Sequence, residues 1–129
     1  MTTEQLRALL ASSCVSFAPT GSRYICDPAP TDTDEDYVCL ANNATLDTLR
    51  REGFEQNTEE SRYAEMPDFI AFRLGEFNVI VTEDAQFYAL FVEATEEAKR
   101  LNLMEKGERI ELFQKILYGV DTPNAGAGR

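Results

Sequence analysis

Histidine and tryptophan are absent from this 129-residue chain, and cysteine occurs only three times. Without imidazole there is no histidine general base and no Ser/His or Cys/His nucleophile pair. Any chemistry therefore runs on carboxylates, a metal, or Lys and Arg. Cys14, Cys26 and Cys39 cannot all pair within one chain, and their spacing matches no zinc pattern. Reduced, mostly buried thiols are the expectation. No stretch approaches the roughly 20 apolar residues of a membrane-spanning helix. The first residues are polar and lack a basic-then-apolar leader pattern, so a soluble, cytoplasmic protein without membrane contact is expected. Basic residues are also scarce, 12 Lys and Arg against 23 Asp and Glu, for a formal net charge of −11. That balance argues against extended nucleic-acid binding, whose affinity comes from Lys and Arg neutralising phosphates. It leaves open an RNA end reaching a local basic patch, and an acidic surface that imitates DNA.

What is present reads as one domain with a modest core over residues 1–120, followed by a flexible Gly- and Ala-rich tail over 121–129. Thr2 or Thr3 can cap a first helix with Leu6, Leu9 and Leu10 on one face, ending near Ser12-Ser13. Cys14 to Ala18 alternates, with Val15 and Phe17 on one side, and reads as a short strand ended by Pro19-Thr20-Gly21-Ser22. A second strand is expected over roughly 35–41. Thr45 can cap a short helix over 46–52, stopped by Gly53. Phe54-Glu55-Gln56 suggests a short strand, and the polar stretch 57–67, closed by Pro67, reads as a loop. Phe69 to Leu74 and Phe77 to Thr82 flank Gly75-Glu76 and predict a hairpin. Thr82 or Asp84 starts a helix carrying Phe87, Leu90, Phe91 and Ala94 up to Leu101. A last helix carries Ile110, Phe113, Ile116 and Leu117 and ends at Gly119. This order indicates an α+β domain, one mixed β-sheet covered by helices.

The candidate chemistry lies between residues 21 and 40. Successive side chains of a strand alternate faces, so Asp34 and Asp36 point the same way and Glu35 points away, towards solvent or a cation. Two carboxylates on one strand face suit a hard cation such as Mg²⁺, which takes one or two carboxylates and completes its shell with water and phosphate oxygens. The Gly21-Ser22 corner just upstream allows backbone N–H groups to approach phosphate oxygens without an intervening Cβ. Arg23 beside it is placed as a bidentate phosphate donor or as a solvent-facing arginine. Asp32 is a further metal contact or a turn residue. Phe87, Tyr88 and Phe91 form an aromatic stripe that core packing explains better than base stacking. Lys99, Arg100, Lys106 and Arg109 gather near the last inter-helix turn, as a solvated helix end or an acceptor contact.

These residues resemble the nucleotidyltransferase (DNA polymerase beta-like) superfamily. Its signature is an apolar residue, Gly-Ser, about ten variable residues, then Ser/Thr-Asp-x-Asp and apolar positions. Here it reads Pro19-Thr20-Gly21-Ser22, a loop, then Thr33-Asp34-Glu35-Asp36 with Val38, Cys39 and Leu40. Together with Phe77-Asn78-Val79-Ile80-Val81-Thr82, the wording is similar to small nucleotidyltransferase-like proteins of bacteriophages, over about residues 15 to 119. The resemblance implies a minimal nucleotidyltransferase fold with two C-terminal helices. It also implies Mg²⁺ on Asp34 and Asp36, triphosphate held by Gly21, Ser22 and Arg23, and a third acidic residue on the neighbouring strand. At that third position the chain carries Asn78, an amide that can touch Mg²⁺ but cannot act as a base. Glu76, two residues earlier, and Asp68 are the carboxylates near enough in sequence to stand in.

Two functions follow from the resemblance. One is Mg²⁺-dependent transfer of a nucleoside monophosphate from a nucleoside triphosphate to an unidentified hydroxyl acceptor on a protein, an RNA end or a small molecule. The other is a catalytically impaired, nucleotide- or partner-binding phage protein acting on a host factor, within the host cytoplasm. Nucleic-acid mimicry ranks last, because it does not require the ordered arrangement of Gly-Ser and Asp-x-Asp.

Overall fold

The structure is a computed structural model that describes residues 1–31, 33–56 and 69–119. Asp32, Asp68, the loop expected over 57–67 and the tail expected over 121–129 lie outside the described residues. Within them the protein is an α+β fold with one mixed sheet of five strands. The elements run α1 (Thr3–Ser13), β1 (Cys14–Thr20), α2 (Ser22–Ile25), β2 (Glu35–Ala41), α3 (Thr45–Arg51), β3 (Glu55–Gln56), β4 (Ile70–Leu74), β5 (Phe77–Thr82), α4 (Ala85–Arg100) and α5 (Lys106–Tyr118). The strand order is β1-β2-β5-β4-β3. β2 and β5 are parallel, and every other pair is antiparallel. Among the described residues no helix is long and apolar enough to cross a membrane.

Local signals set most element ends. Thr2 and Gln5 form a reciprocal capping box on α1, with the Thr2 hydroxyl accepting from the Gln5 N–H and the Gln5 side chain accepting from the Thr2 N–H. Asp84 caps α4 by accepting from the N–H groups of Gln86 and Phe87. Gly119, in the left-handed region, ends α5. Gly75-Glu76 turns β4 into β5 with Leu74 opposite Phe77, as the hairpin pattern predicts.

Three local expectations are corrected. Pro19 does not end β1 but lies within it, opposite Tyr37. The sheet order makes β1 an edge strand, where a residue without an N–H can face outward. Val15 does not share a side with Phe17: the register shifts between Cys14 and Ser16, and the extra residue of this bulge turns outward, leaving Val15 64% exposed. Finally, the segment after Gly21 forms the single helical turn α2, which has too few residues for a periodic signal.

Alternation along the strands divides the interior between two faces. Tyr37, Cys39, Phe72, Phe77, Val79 and Val81 turn to the side covered by Leu6 and Leu10 of α1 and Leu49 of α3. Val38, Ala18, Ile80 and Phe69 turn to the other side, under Phe87 and Phe91 of α4 and Phe113 and Leu117 of α5. Phe87 and Phe91 are therefore core residues, Phe91 meeting Phe113 edge-on at 5.0 Å. The three cysteines are buried free thiols. Cys39 has its pKa raised by its hydrogen bond with Cys14 and by burial, which disfavours the thiolate.

The first face carries the dense core, and truncation there is expected to be costly. Phe72→Ala should lose about 3–5 kcal/mol, whereas Val15→Ser should stay within about 0.5 kcal/mol of wild type in urea unfolding. Similar losses for the two variants would contradict this division of the core.

Candidate functional site

Four strands contribute to one polar row at the end of the sheet. Thr20 of β1 lies opposite Asp36 of β2, Asp36 opposite Asn78 of β5, and Asn78 opposite Arg73 of β4. Directly paired residues share a face, so the row belongs to the α4/α5 side. Asp34, two residues before Asp36, points the same way. The register thus pairs Asn78, and not Glu76, with Asp36. Glu76 is an exposed turn residue whose carbonyl accepts from the Glu35 N–H at 2.8 Å.

The two carboxylates converge. The Asn78 side-chain NH₂ donates to Asp34 Oδ2 at 3.1 Å and to Asp36 Oδ1 at 2.9 Å. The other end of the same amide, Asn78 Oδ1, accepts from Arg73 Nε at 3.1 Å. Arg73 Nη2 also donates to Asp34 Oδ2, forming an ion pair. Asn78 is 4% exposed, so its amide is held from both ends in a buried position. Among the described residues no third His, Cys, Asp or Glu joins the two acids in a metal-ligand group.

Gly21 backs directly onto this pair. Its φ of +79 and ψ of 176 belong to a region that only glycine enters readily, and a Cβ there would lie 1.9 Å from Asp36 Oδ2. The Gly-Ser corner and the Asp-x-Asp strand, separated by a loop in sequence, are therefore in contact. The Gly21 carbonyl accepts from the N–H groups of Tyr24 and Ile25, which folds the chain over into α2.

A cavity of about 570 Å³ opens over these residues. Its lining includes the polar corner and strand residues Thr20, Gly21, Ser22, Thr33, Asp34, Asp36 and Asn78, and the apolar Phe69, Ile80, Phe91, Phe113 and Leu117. Lys106 and Arg109 of α5 also line it. The Thr33 hydroxyl oxygen is buried and has no hydrogen-bond partner among the described residues. Cavities of this size, mostly apolar with a few convergent polar groups, are typical of small-molecule sites.

Some of the expected site residues lie elsewhere. Arg23 does not line the cavity: its guanidinium donates to the Thr33 carbonyl and pairs with Glu35 at 3.7 Å. Glu35 indeed faces away from the aspartates, where it also accepts from Thr3 and from the Tyr37 hydroxyl. Burial, followed by the bond to Glu35, pushes the Tyr37 phenol up. The basic cluster near the last turn divides. Lys99 donates to the Tyr24 carbonyl at 2.8 Å and sits over the Tyr24 ring, and Arg100 pairs with Glu97. Lys106 and Arg109 turn to the cavity, Arg109 being anchored on the carbonyls of Leu103 and Met104 at 2.9 Å each.

Two site residues were not singled out from the sequence. Arg73 is an ordinary polar position on a hairpin strand until the register brings it beside Asn78. Thr33 stands in the motif, but nothing in its spacing tells that its hydroxyl is buried beside the acids. Comparisons with protein families, curated proteins and solved structures find no match to this chain.

The close approach of Gly21 to Asp36 separates two glycines that share a positive φ. Gly75 has φ +59, and a Cβ at that position would meet nothing within 4 Å. Gly75→Ala should cost about 1 kcal/mol for the backbone alone. Gly21→Ala should cost about 2 kcal/mol or more, because the Asp36 carboxylate must also move. Equal costs in chemical denaturation would show that the contact has no energetic weight.

Proposed function

We propose that this domain has a nucleotidyltransferase-type fold and binds a nucleoside triphosphate with one divalent cation. At this site it transfers the nucleoside monophosphate to a hydroxyl acceptor. One observation carries this: Asp34 and Asp36 converge against the Gly21-Ser22 corner in the lining of a shared cavity. Two converging aspartates fit a single hard cation, Mg²⁺ by the chemistry of the donors, with the Asn78 amide presenting its NH₂ to both. The buried Thr33 hydroxyl beside them, without a hydrogen-bond partner among the described residues, suits a ligand oxygen. Asp34 and Asp36 would hold the cation. When bound, Mg²⁺ supplies neutralisation of phosphate charge during an in-line displacement.

The chain's own groups divide the remaining work. Gly21 and Ser22 receive phosphate oxygens through backbone N–H groups and the serine hydroxyl. Lys106 and Arg109 also line the cavity, where they offset the charge of the released pyrophosphate. Phe69, Phe113 and Leu117 present an apolar surface to the base or to the acceptor. In the transfer, the acceptor oxygen bonds to the α-phosphorus, the bond to the pyrophosphate oxygen breaks, and the hydroxyl proton passes to a site carboxylate. Asn78 cannot take that proton. Arg23 supports Glu35 and the Thr33 carbonyl, outside the cavity lining.

A second reading is favoured by Asn78 itself. Its NH₂ already satisfies one oxygen of each carboxylate, an arrangement suited to binding a nucleotide or a host protein partner without turnover. Either reading is of a protein acting in the cytoplasm, that of the host if the chain is phage-encoded.

Calorimetry of the pure protein with each nucleoside triphosphate should show binding that requires Mg²⁺. Asp34→Ala and Asp36→Ala should each weaken it by about tenfold or more. Binding indifferent to Mg²⁺ and to both substitutions would remove the cation from the site. An α-phosphate label offered with protein, RNA and small-molecule acceptors then separates the two readings. A labelled acceptor establishes transfer, and none across the panel leaves the binding module.

A further inference from the structure

We propose that Arg73 is a resident counter-cation of Asp34, and that a divalent cation enters this site by displacing it. This rests on Asp34 and Asp36 holding the cation, as proposed above, and concerns how entry is regulated.

Asp36, Asn78 and Arg73 occupy directly paired positions on three adjacent strands, with Asp34 two residues before Asp36. Across that row the Asn78 amide is committed at both ends. Its oxygen accepts from Arg73 Nε, and its NH₂ donates to both aspartates. Turning the amide over would set NH₂ against the arginine N–H and oxygen against two carboxylates. Arg73 therefore fixes the orientation in which Asn78 presents donors, not a cation ligand, to the acids. Its guanidinium meanwhile occupies Asp34 Oδ2 directly. One positive charge and one buried NH₂ thus stand where a cation would otherwise balance the pair.

This lock can open. The side chains of Arg73 and Asp34 are 46% and 36% exposed, and ion pairs of that exposure are weakly held. On its other side Arg73 is paired in register with Glu55 of β3, an exposed carboxylate. An arginine leaving Asp34 has that alternative partner on the same row. Once it leaves, Asn78 Oδ1 loses its donor and the amide is free to turn its oxygen towards the acids.

Binding of Mn²⁺ alone, with no nucleotide, tests this on the full chain by electron paramagnetic resonance of free Mn²⁺. Arg73→Gln removes a like charge beside the incoming cation and should bind Mn²⁺ about tenfold more tightly than wild type. Arg73→Lys keeps the charge but not the fork that grips both Asn78 and Asp34, and should fall between them. Glu55→Gln removes the alternative partner and should weaken binding relative to wild type. Far-ultraviolet circular dichroism and the urea midpoint confirm that each variant is folded. If Arg73→Gln binds no more tightly than a wild type whose binding is lost in Asp34→Ala, the counter-cation role falls while the cation site stands. If neither wild type nor Arg73→Gln binds Mn²⁺ at millimolar concentration, the cation site falls and the counter-cation role with it.

Discussion

The parallel pairing of β2 with β5 is the constraint on which the site depends. It sets Asp36 beside Asn78, and the hairpin that follows sets Asn78 beside Arg73. Two carboxylates at the end of one strand repel each other unless donors stand between them. Here one buried amide donates to both, and an arginine holds that amide in place. The polar row is thus satisfied within the protein, at the edge of an otherwise apolar helix-covered face.

That face is built differently from its opposite. Under α1 and α3 the sheet carries a continuous core of fully buried aliphatic and aromatic side chains. Under α4 and α5 the apolar contacts are completed by partly buried residues, and α5 has no fully buried residue at all. The difference is the cavity, which α5 borders along much of its length. The larger buried cluster lies on one side of the sheet and the ligand-sized space on the other, where Ala71 and Phe91 are at once cavity lining and buried core.

Much of this was legible in the residues because it is local. Period-two alternation marked β2, β4 and β5, and Gly75-Glu76 marked their hairpin turn. Asp84 and Gly119 marked helix ends, where backbone groups must find side-chain or left-handed caps. Alternation also placed Asp34 and Asp36 on one face and Glu35 on the other. Where local rules met tertiary context they gave way. Pro19 stays in a strand because that strand is at the edge, and Val15 turns outward because a bulge adds a residue.

The amino-acid order was enough to establish an α+β domain, a glycine that admits close approach, and two acids aimed together. These follow from backbone geometry within a few residues. Only folding could bring Arg73 to Asn78 and Asp34, turn Arg23 away to Glu35, and carry Lys106 and Arg109 across to the cavity wall. Each of those placements depends on strand register or on helix packing between distant segments, and neither has a period that a single chain displays.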